Sequence, residues 1–207
     1  MNNIEELIKN ILDIEWNMFQ TVKNIGGKAS CQDNKKEFYL MRSSQFRSWS
    51  DEILDSYLDD LKEAYGKGRN LLTEKYARMM KSTSPEEYNG IKNQIPVLEE
   101  GIVFLVNEIT EVVIAWEEEL VQEFPHISSR SRPLHSSLDN KFSTSKETYF
   151  RCELETYSIK TLDLYYRWLM EQKDKGVNLS RIILEEMVKQ SGYTSIEAAE
   201  ERIKNEK

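Results

Sequence analysis

The feature that most constrains the fold is a helical spacing of apolar residues that recurs along most of the chain. In the clearest stretch, residues 97–124, apolar side chains return every three or four positions until Pro125 ends the run. The members of this stripe are Ile102, Val106, Ile109, Val113, Trp116, Leu120 and Phe124. Because such a stripe covers one face of a helix, the pattern predicts an amphipathic helix that packs against others.

The same spacing, bounded by helix-start and helix-stop residues, predicts helices elsewhere. They cover residues 4–23, which end at Gly26-Gly27, then 37–49, 51–66, 71–80, 146–172 and 178–190, with a last helix that opens near residue 195. Eight glycines and four prolines in 207 residues are too few for the many turns of a β-sandwich. We therefore predict an all-α fold, a helical bundle in which residues 1–207 form a single domain.

Two segments of the chain resemble each other. Residues 56–81 align without gaps with residues 164–189, and the matched positions keep their order. The matched pairs are Tyr57 with Tyr165, Leu61 with Leu169, Gly68 with Gly176, Asn70 with Asn178, and Met79 with Met187. We interpret the bundle as two quasi-repeated halves, about 1–95 and 97–207, that pack around a pseudo-twofold axis and share one core.

Polar residues interrupt the apolar faces of the first two predicted helices. Glu15 lies between Ile11 and Met18 at helical spacing. An ionised carboxylate that is buried without a partner costs many kcal/mol, so Glu15 needs a cation, a metal or a proton. Arg42 and Gln45 fall within the apolar arc of the second helix. Arg42 is therefore a candidate partner of Glu15.

The second half contains a similar set of residues. Arg151 holds nearly the place in its half that Arg42 holds in the first, so a true repeat would bring both arginines to one central cavity. Glu147 lies one turn before Arg151, and Tyr157 lies on the same face. Lys75 falls within the apolar sector of residues 71–80. Polar groups thus point inward from both halves.

These residues allow two interpretations. In one, Glu15–Arg42 and Glu147–Arg151 are structural ion pairs. In the other, cationic side chains converge in an interhelical pocket for a small anionic molecule, because guanidinium groups grip carboxylates and phosphates with two prongs. The pocket hypothesis assigns proton transfer to Glu15, a catalytic hydroxyl to Tyr157, and ligand binding to Arg42, Gln45, Arg151, Lys75, Asn17 and Glu147.

Composition argues against several classes of protein. The formal net charge of −8 lacks the basic excess of a nucleic-acid binder, and charges interrupt every apolar stretch that could enter a membrane. There is no signal peptide and no CxxC pair, and the two histidines, His126 and His135, lie in a proline-flanked loop, so we expect a cytoplasmic protein without a metal site, and the sequence identifies no cofactor. The alternative to an enzyme or ligand-binding protein is an adaptor that docks a partner protein or a second copy through its acidic helices or residues 130–133.

Five segments carry a resemblance to a known family. They are EWNMFQTVKNIGGKASCQD, MRSSQFRSWS, GRNLLTEKYARMM, RSRPLHSS and ETYFRCELETYS. In these segments the chain resembles the bacterial family domain of unknown function 4125, over about residues 12–193. The resemblance implies a cytoplasmic bacterial protein. It transfers no activity, cofactor or site residue, so the site predictions rest on the helical-face argument alone.

Overall fold

Helices account for nearly all regular structure. The computed structural model describes residues 3–23 and 27–206, which contain eleven α-helices and no β-strand. The helices are α1 (Asn3–Gln20), α2 (Lys35–Phe46), α3 (Asp51–Gly66), α4 (Leu71–Thr83), α5 (Pro85–Ile91), α6 (Glu100–Glu123), α7 (Pro125–Ser128), α8 (Lys146–Leu154), α9 (Ile159–Asp174), α10 (Leu179–Gln190) and α11 (Ile196–Asn205). The predicted all-α fold is confirmed. Gly26, part of the predicted stop after the first helix, lies outside the described residues.

One predicted helix is in fact two. The expected helix at 146–172 breaks into α8 and α9, because Ser158 accepts a hydrogen bond from the backbone N–H of Thr161 and so begins a new helix. Thr156 reinforces the break, since its hydroxyl donates to the backbone oxygen of Glu153 at 2.7 Å. The apolar spacing continues across this break, which is why periodicity alone did not reveal it.

The two halves of the chain make parallel contacts. α1 packs on α2, α3 and α4, and α6 packs on α8, α9 and α10, while α4 meets α8 and α10 meets α2. Asn70 caps α4 and donates to the backbone oxygen of Met18, and Asn178 caps α10 and donates to the backbone oxygen of Trp116. A repeat would produce this pattern, and the duplication itself stays a prediction.

One large apolar core joins the two halves. Its fully buried side chains include Phe46, Ile53, Leu54 and Leu61 from the first half and Ile109, Leu154, Leu162 and Leu169 from the second. A smaller apolar cluster lies where α11 packs on α7. There the carboxylate of Glu200 accepts the backbone N–H groups of His126 and Ile127, each at 2.8 Å. Among the described helices, none is long and apolar enough to cross a membrane.

Candidate functional site

Four charged side chains meet inside the bundle. Glu15 on α1, Arg42 on α2, Lys75 on α4 and Glu153 on α8 are each at most 9 % exposed, and we call them the charged cluster. Three of these helices come from the first half and one from the second. The predicted contact between Glu15 and Arg42 is present, and the structure adds a second carboxylate to it.

The contact between Glu15 and Arg42 has two prongs. The Arg42 Nε donates to Glu15 Oε2 at 2.8 Å, and Nη2 donates to Oε1 at 2.5 Å. The Tyr57 hydroxyl also donates to Oε1, at 2.7 Å. Both oxygens of this carboxylate therefore have donors, which compensates for its removal from water.

Glu153 receives an even larger set of donors. Its Oε1 accepts from Arg42 Nη1 at 2.7 Å, Gln45 Nε2 at 3.0 Å and the Tyr157 hydroxyl at 2.7 Å. Its Oε2 accepts from Lys75 Nζ at 2.5 Å. Burial by itself would raise the pKa of Glu153, but the charges of Arg42 and Lys75 hold that pKa far below its ordinary value. Glu153 is thus an ionised internal carboxylate.

The cluster is neutral and every carboxylate oxygen in it has a hydrogen-bond donor. Two carboxylates face two cations, and each carboxylate oxygen already accepts at least one hydrogen bond. Burial and the adjacent carboxylates raise the pKa of Tyr57 and Tyr157 well above that of an ordinary phenol, so both hydroxyls are donors and not bases. This geometry is that of a buried ion-pair network, which fastens α1, α2, α4 and α8 together.

Among the described residues, three of the predicted site residues make no hydrogen bond or ion pair with the charged cluster. Arg151 is half-buried and donates to Asn107 of α6. The Glu147 carboxylate accepts the backbone N–H of Ser136 at 2.7 Å and makes no ion pair with Arg151 among the described residues. Asn17 is exposed.

Arg151 and Glu153 lie on different sides of α8. They are two residues apart, which is about 200° around a helix, so Glu153 points into the charged cluster while Arg151 points toward α6. An alignment of the two halves on the caps Ser50 and Ser158 would place Arg42 opposite Phe150. In the same register Gln45 is matched by Glu153, a member of the charged cluster that was not predicted from the sequence. Glu153 lies four residues before Tyr157, and this spacing could have indicated that it shares a helix face with a predicted site residue.

Lys75 extends the charged cluster toward the surface. Its Nζ lies 3.5 Å from the ring centroid of Tyr149, and the Arg132 guanidinium lies 5.0 Å from the same ring. Burial would raise the pKa of Tyr149, but the charge and hydrogen bond of Lys75, together with the charge of Arg42, bring that pKa below that of a free phenol.

The larger of two described clefts opens between α1 and α2. This α1–α2 cleft has a volume of about 630 Å³ and is closed on one side by Gln190 at the end of α10. Its other lining residues are Glu5, Ile8, Lys9 and Leu12 of α1, Lys35, Lys36, Tyr39, Leu40 and Ser43 of α2, and Arg47 just after α2. None of its lining residues belongs to the charged cluster.

Three contacts show that the walls of the α1–α2 cleft run antiparallel. At one end Arg47 donates twice to Glu5, at 3.2 Å each. Farther along, the Tyr39 hydroxyl donates to Asp13 at 2.6 Å. At the other end Lys35 lies 5.9 Å from the ring centroid of Trp16 and 4.9 Å from that of Tyr39. The cleft therefore has a neutral end at Glu5–Arg47 and a lysine-bearing end at the start of α2.

Unpaired cations surround an apolar floor in this cleft. Within the described ranges, Lys9, Lys35 and Lys36 form no ion pair with a carboxylate, and all three are exposed. Between them lie Ile8 and Leu12, which are almost fully buried. The arrangement can hold a negative charge at the rim and an apolar group at the floor.

The second cleft is smaller and its cations are engaged. It has a volume of about 400 Å³ and lies between the end of α6 and residues 128–134. Lys146 pairs with Glu117 at 2.6 Å, and Arg132 donates to the backbone oxygen of Thr144 at 3.2 Å. An anion in this cleft would have to compete with those partners, so the α1–α2 cleft is the better candidate.

Comparison with known proteins gives one match. A family model described as a protein of unknown function (DUF4125) matches residues 5–201. No curated protein and no solved structure matches the chain. The matched region covers α2–α10 in full, and with them every residue of the charged cluster and the α1–α2 cleft. The chain therefore belongs to the DUF4125 family.

Proposed function

We propose that the protein binds a small anionic molecule in the α1–α2 cleft. The observation that carries the proposal is a group of three lysines, Lys9, Lys35 and Lys36, that have no carboxylate partner in the part of the chain that the structure describes and that lie around a concave apolar floor. In a chain with a net charge of −8, such a local excess of cations attracts an anion that the rest of the surface repels.

The size and lining of the cleft agree with a ligand of that kind. Its volume of about 630 Å³ falls within the roughly 300–1,000 Å³ of typical small-molecule sites. Ser43 and Gln190 add a hydroxyl and an amide to the wall, which can orient the polar part of a ligand. Binding needs no rearrangement of the charged cluster.

The proposal gives the charged cluster a supporting task. Glu15 and Arg42 join the two helices that form the walls of the cleft, and Glu153 and Lys75 tie those helices to α8 and α4. The predicted roles of Glu15 and Tyr157 in proton transfer, and of Arg42, Gln45 and Lys75 in ligand contact, stay predictions. The polar atoms of these residues bind one another.

Thermal unfolding with and without an added anion tests the proposal. Inorganic phosphate, citrate and adenosine monophosphate serve as probes, against wild type, a Lys9→Glu/Lys36→Glu variant and a matched Lys62→Glu/Lys160→Glu control. A ligand at a hundred times its Kd stabilises by about 2.7 kcal/mol, which for a protein of this size is a rise of roughly 5–10 °C in Tm.

The expected result is a rise for wild type and the control with at least one probe, and none for the cleft variant. Lys62 and Lys160 are exposed lysines on α3 and α9, so the control changes the net charge equally without touching the cleft. Equal rises in all three proteins would show non-specific stabilisation, and no rise in any would remove the proposed function.

A second candidate is docking of a partner protein or of a second copy. Val97, Phe104 and Phe142 are 94, 60 and 87 % exposed, and large exposed apolar side chains favour contact with another surface. Sedimentation velocity over a hundredfold range of concentration tests the homodimer. A Phe104→Ser/Phe142→Ser variant should remain a monomer where wild type associates.

A further inference from the structure

We infer that the anion bound in the α1–α2 cleft is an amphiphile, a carboxylate or phosphate ester that carries an apolar chain. This inference rests on the proposed function and narrows its ligand class. It depends on the unequal ends of the cleft and on the apolar residues between them. Both features follow from the antiparallel packing of α1 against α2.

The charged head belongs at the start of α2. Lys35 and Lys36 occupy the first turn of that helix, where backbone N–H groups already make the environment positive and an acidic residue is the usual choice. Glu37 is the acid of this turn, and the Asn34 side chain engages it at 2.6 Å. An anionic head there would relieve a repulsion that the chain itself leaves in place.

The opposite end of the cleft is less positive. Arg47 and Glu5 neutralise each other there through two hydrogen bonds, and of the described residues near that end only Lys9, one helical turn after Glu5, is a lysine without a carboxylate partner. The charged head of the ligand is therefore better placed at the start of α2, where two such lysines are adjacent, and its uncharged part toward Glu5–Arg47.

Apolar side chains connect the two ends. Ile8 and Leu12 of α1 face Leu40 of α2, and the wall from Glu5 to Leu12 extends about 10 Å along the helix axis. Ile8 and Leu12 are only 2 % and 5 % exposed, so the apolar surface that a ligand can still cover belongs mainly to the half-buried Tyr39 and Leu40, and phosphate at the lysine end would leave that surface uncovered. A chain that covers it gains free energy with each buried methylene.

Isothermal titration calorimetry with butyrate, hexanoate, octanoate, octyl phosphate and inorganic phosphate tests the inference. Each methylene of the ligand that packs on the apolar floor should tighten binding about fourfold. Octanoate should therefore bind far more tightly than butyrate. Octyl phosphate against octanoate distinguishes a phosphate head from a carboxylate head, and 1-octanol tests the need for charge.

Three variants locate the binding. Lys36→Glu should weaken octanoate at least tenfold, and the exposed Lys160→Glu control on α9 should leave its Kd unchanged. Leu40→Asn should weaken octanoate while it leaves butyrate unaffected, since Leu40 contacts only the chain. Leu40 is half-buried, so circular dichroism checks that this variant folds.

Each outcome separates the inference from the proposed function. If inorganic phosphate or butyrate binds as tightly as octanoate, and Lys36→Glu abolishes that binding, the cleft binds anions but the inference that its ligand is an amphiphile is wrong. If octanoate binds Lys36→Glu as well as wild type, or if 1-octanol matches octanoate, the inference is overturned. If no probe of either series binds, both the inference and the proposed function fail.

Discussion

Replacement of Arg42 by methionine is the sharpest test of the charged cluster. Methionine keeps the apolar stem that packs near Phe46 but removes the guanidinium, whose carbon lies 4.6 Å from that ring. The change leaves two buried carboxylates, Glu15 and Glu153, without the guanidinium as a partner. Glu153 keeps its ion pair with Lys75. Loss of one partner of a buried pair costs about 3–5 kcal/mol.

The size of this effect is large against the total stability. Because Arg42 serves two carboxylates, we expect a loss near the upper end, about 5 kcal/mol, from a domain stability of about 5–15 kcal/mol. Urea unfolding at pH 7, followed by circular dichroism, measures it. Arg47→Met is the matched control, because Arg47 makes its two-pronged contact with Glu5 at the surface, where an ion pair contributes about 0–1 kcal/mol.

A double variant checks the cause. In Glu15→Gln/Arg42→Met one stranded carboxylate is gone, so the double variant should be more stable than Arg42→Met alone. The reasoning would be refuted if Arg42→Met cost no more than Arg47→Met. It would also be refuted if the two substitutions in the double variant simply added their costs.

Three further predictions concern other parts of the molecule. Glu153 has a lowered pKa, so its stabilisation should be complete above its unfolded pKa of about 4.3 and be lost as the pH falls below it; the difference in urea stability between wild type and Glu153→Gln should therefore shrink from pH 7 to pH 3. Lys75→Met should raise the pKa of Tyr149, measured by tyrosinate absorbance with Tyr149→Phe as the blank; an unchanged titration would exclude the influence of Lys75. Glu200→Gln should cost about 1 kcal/mol, because a weaker acceptor then faces the α7 backbone; no change in urea stability would deny its capping role.

Local signals in the sequence were sufficient for most of the helices and for the Glu15–Arg42 ion pair. Apolar periodicity and side-chain caps such as Ser50 and Asn70 predicted the elements, because both act within a few residues. An ionised carboxylate on an apolar face needs a partner, and Arg42, on the apolar arc of the next helix, was the candidate cation for Glu15. This pairing could be predicted because a buried carboxylate without a partner has a high energetic cost.

Relations between distant helices were harder to predict. The expectation for Arg151 depended on the proposed repeat, and in the structure Arg151 donates to Asn107 of α6, away from the charged cluster. Glu153 completes the charged cluster from across the bundle, at a sequence distance of more than a hundred residues from Arg42. No local pattern encodes that contact.

The α1–α2 cleft shows the same limit. Lys9 and Lys36 are exposed lysines on the polar faces of two amphipathic helices, where a solvated side chain is the ordinary expectation. They become neighbours of one concave surface only because α1 and α2 pack antiparallel. A ligand site formed by these lysines can therefore be recognised only from the tertiary structure.

Backbone amide chemical shifts, followed while octyl phosphate is titrated into the ¹⁵N-labelled protein, test the account most directly. We predict saturable shifts at Ile8–Leu12 and Lys35–Ser43, the two walls of the cleft, with α8 and its Glu153 unaffected. Shifts centred on Glu153 and Tyr149, or no saturable shift at either wall, would contradict the proposal that the ligand site is the α1–α2 cleft and that the charged cluster only supports it.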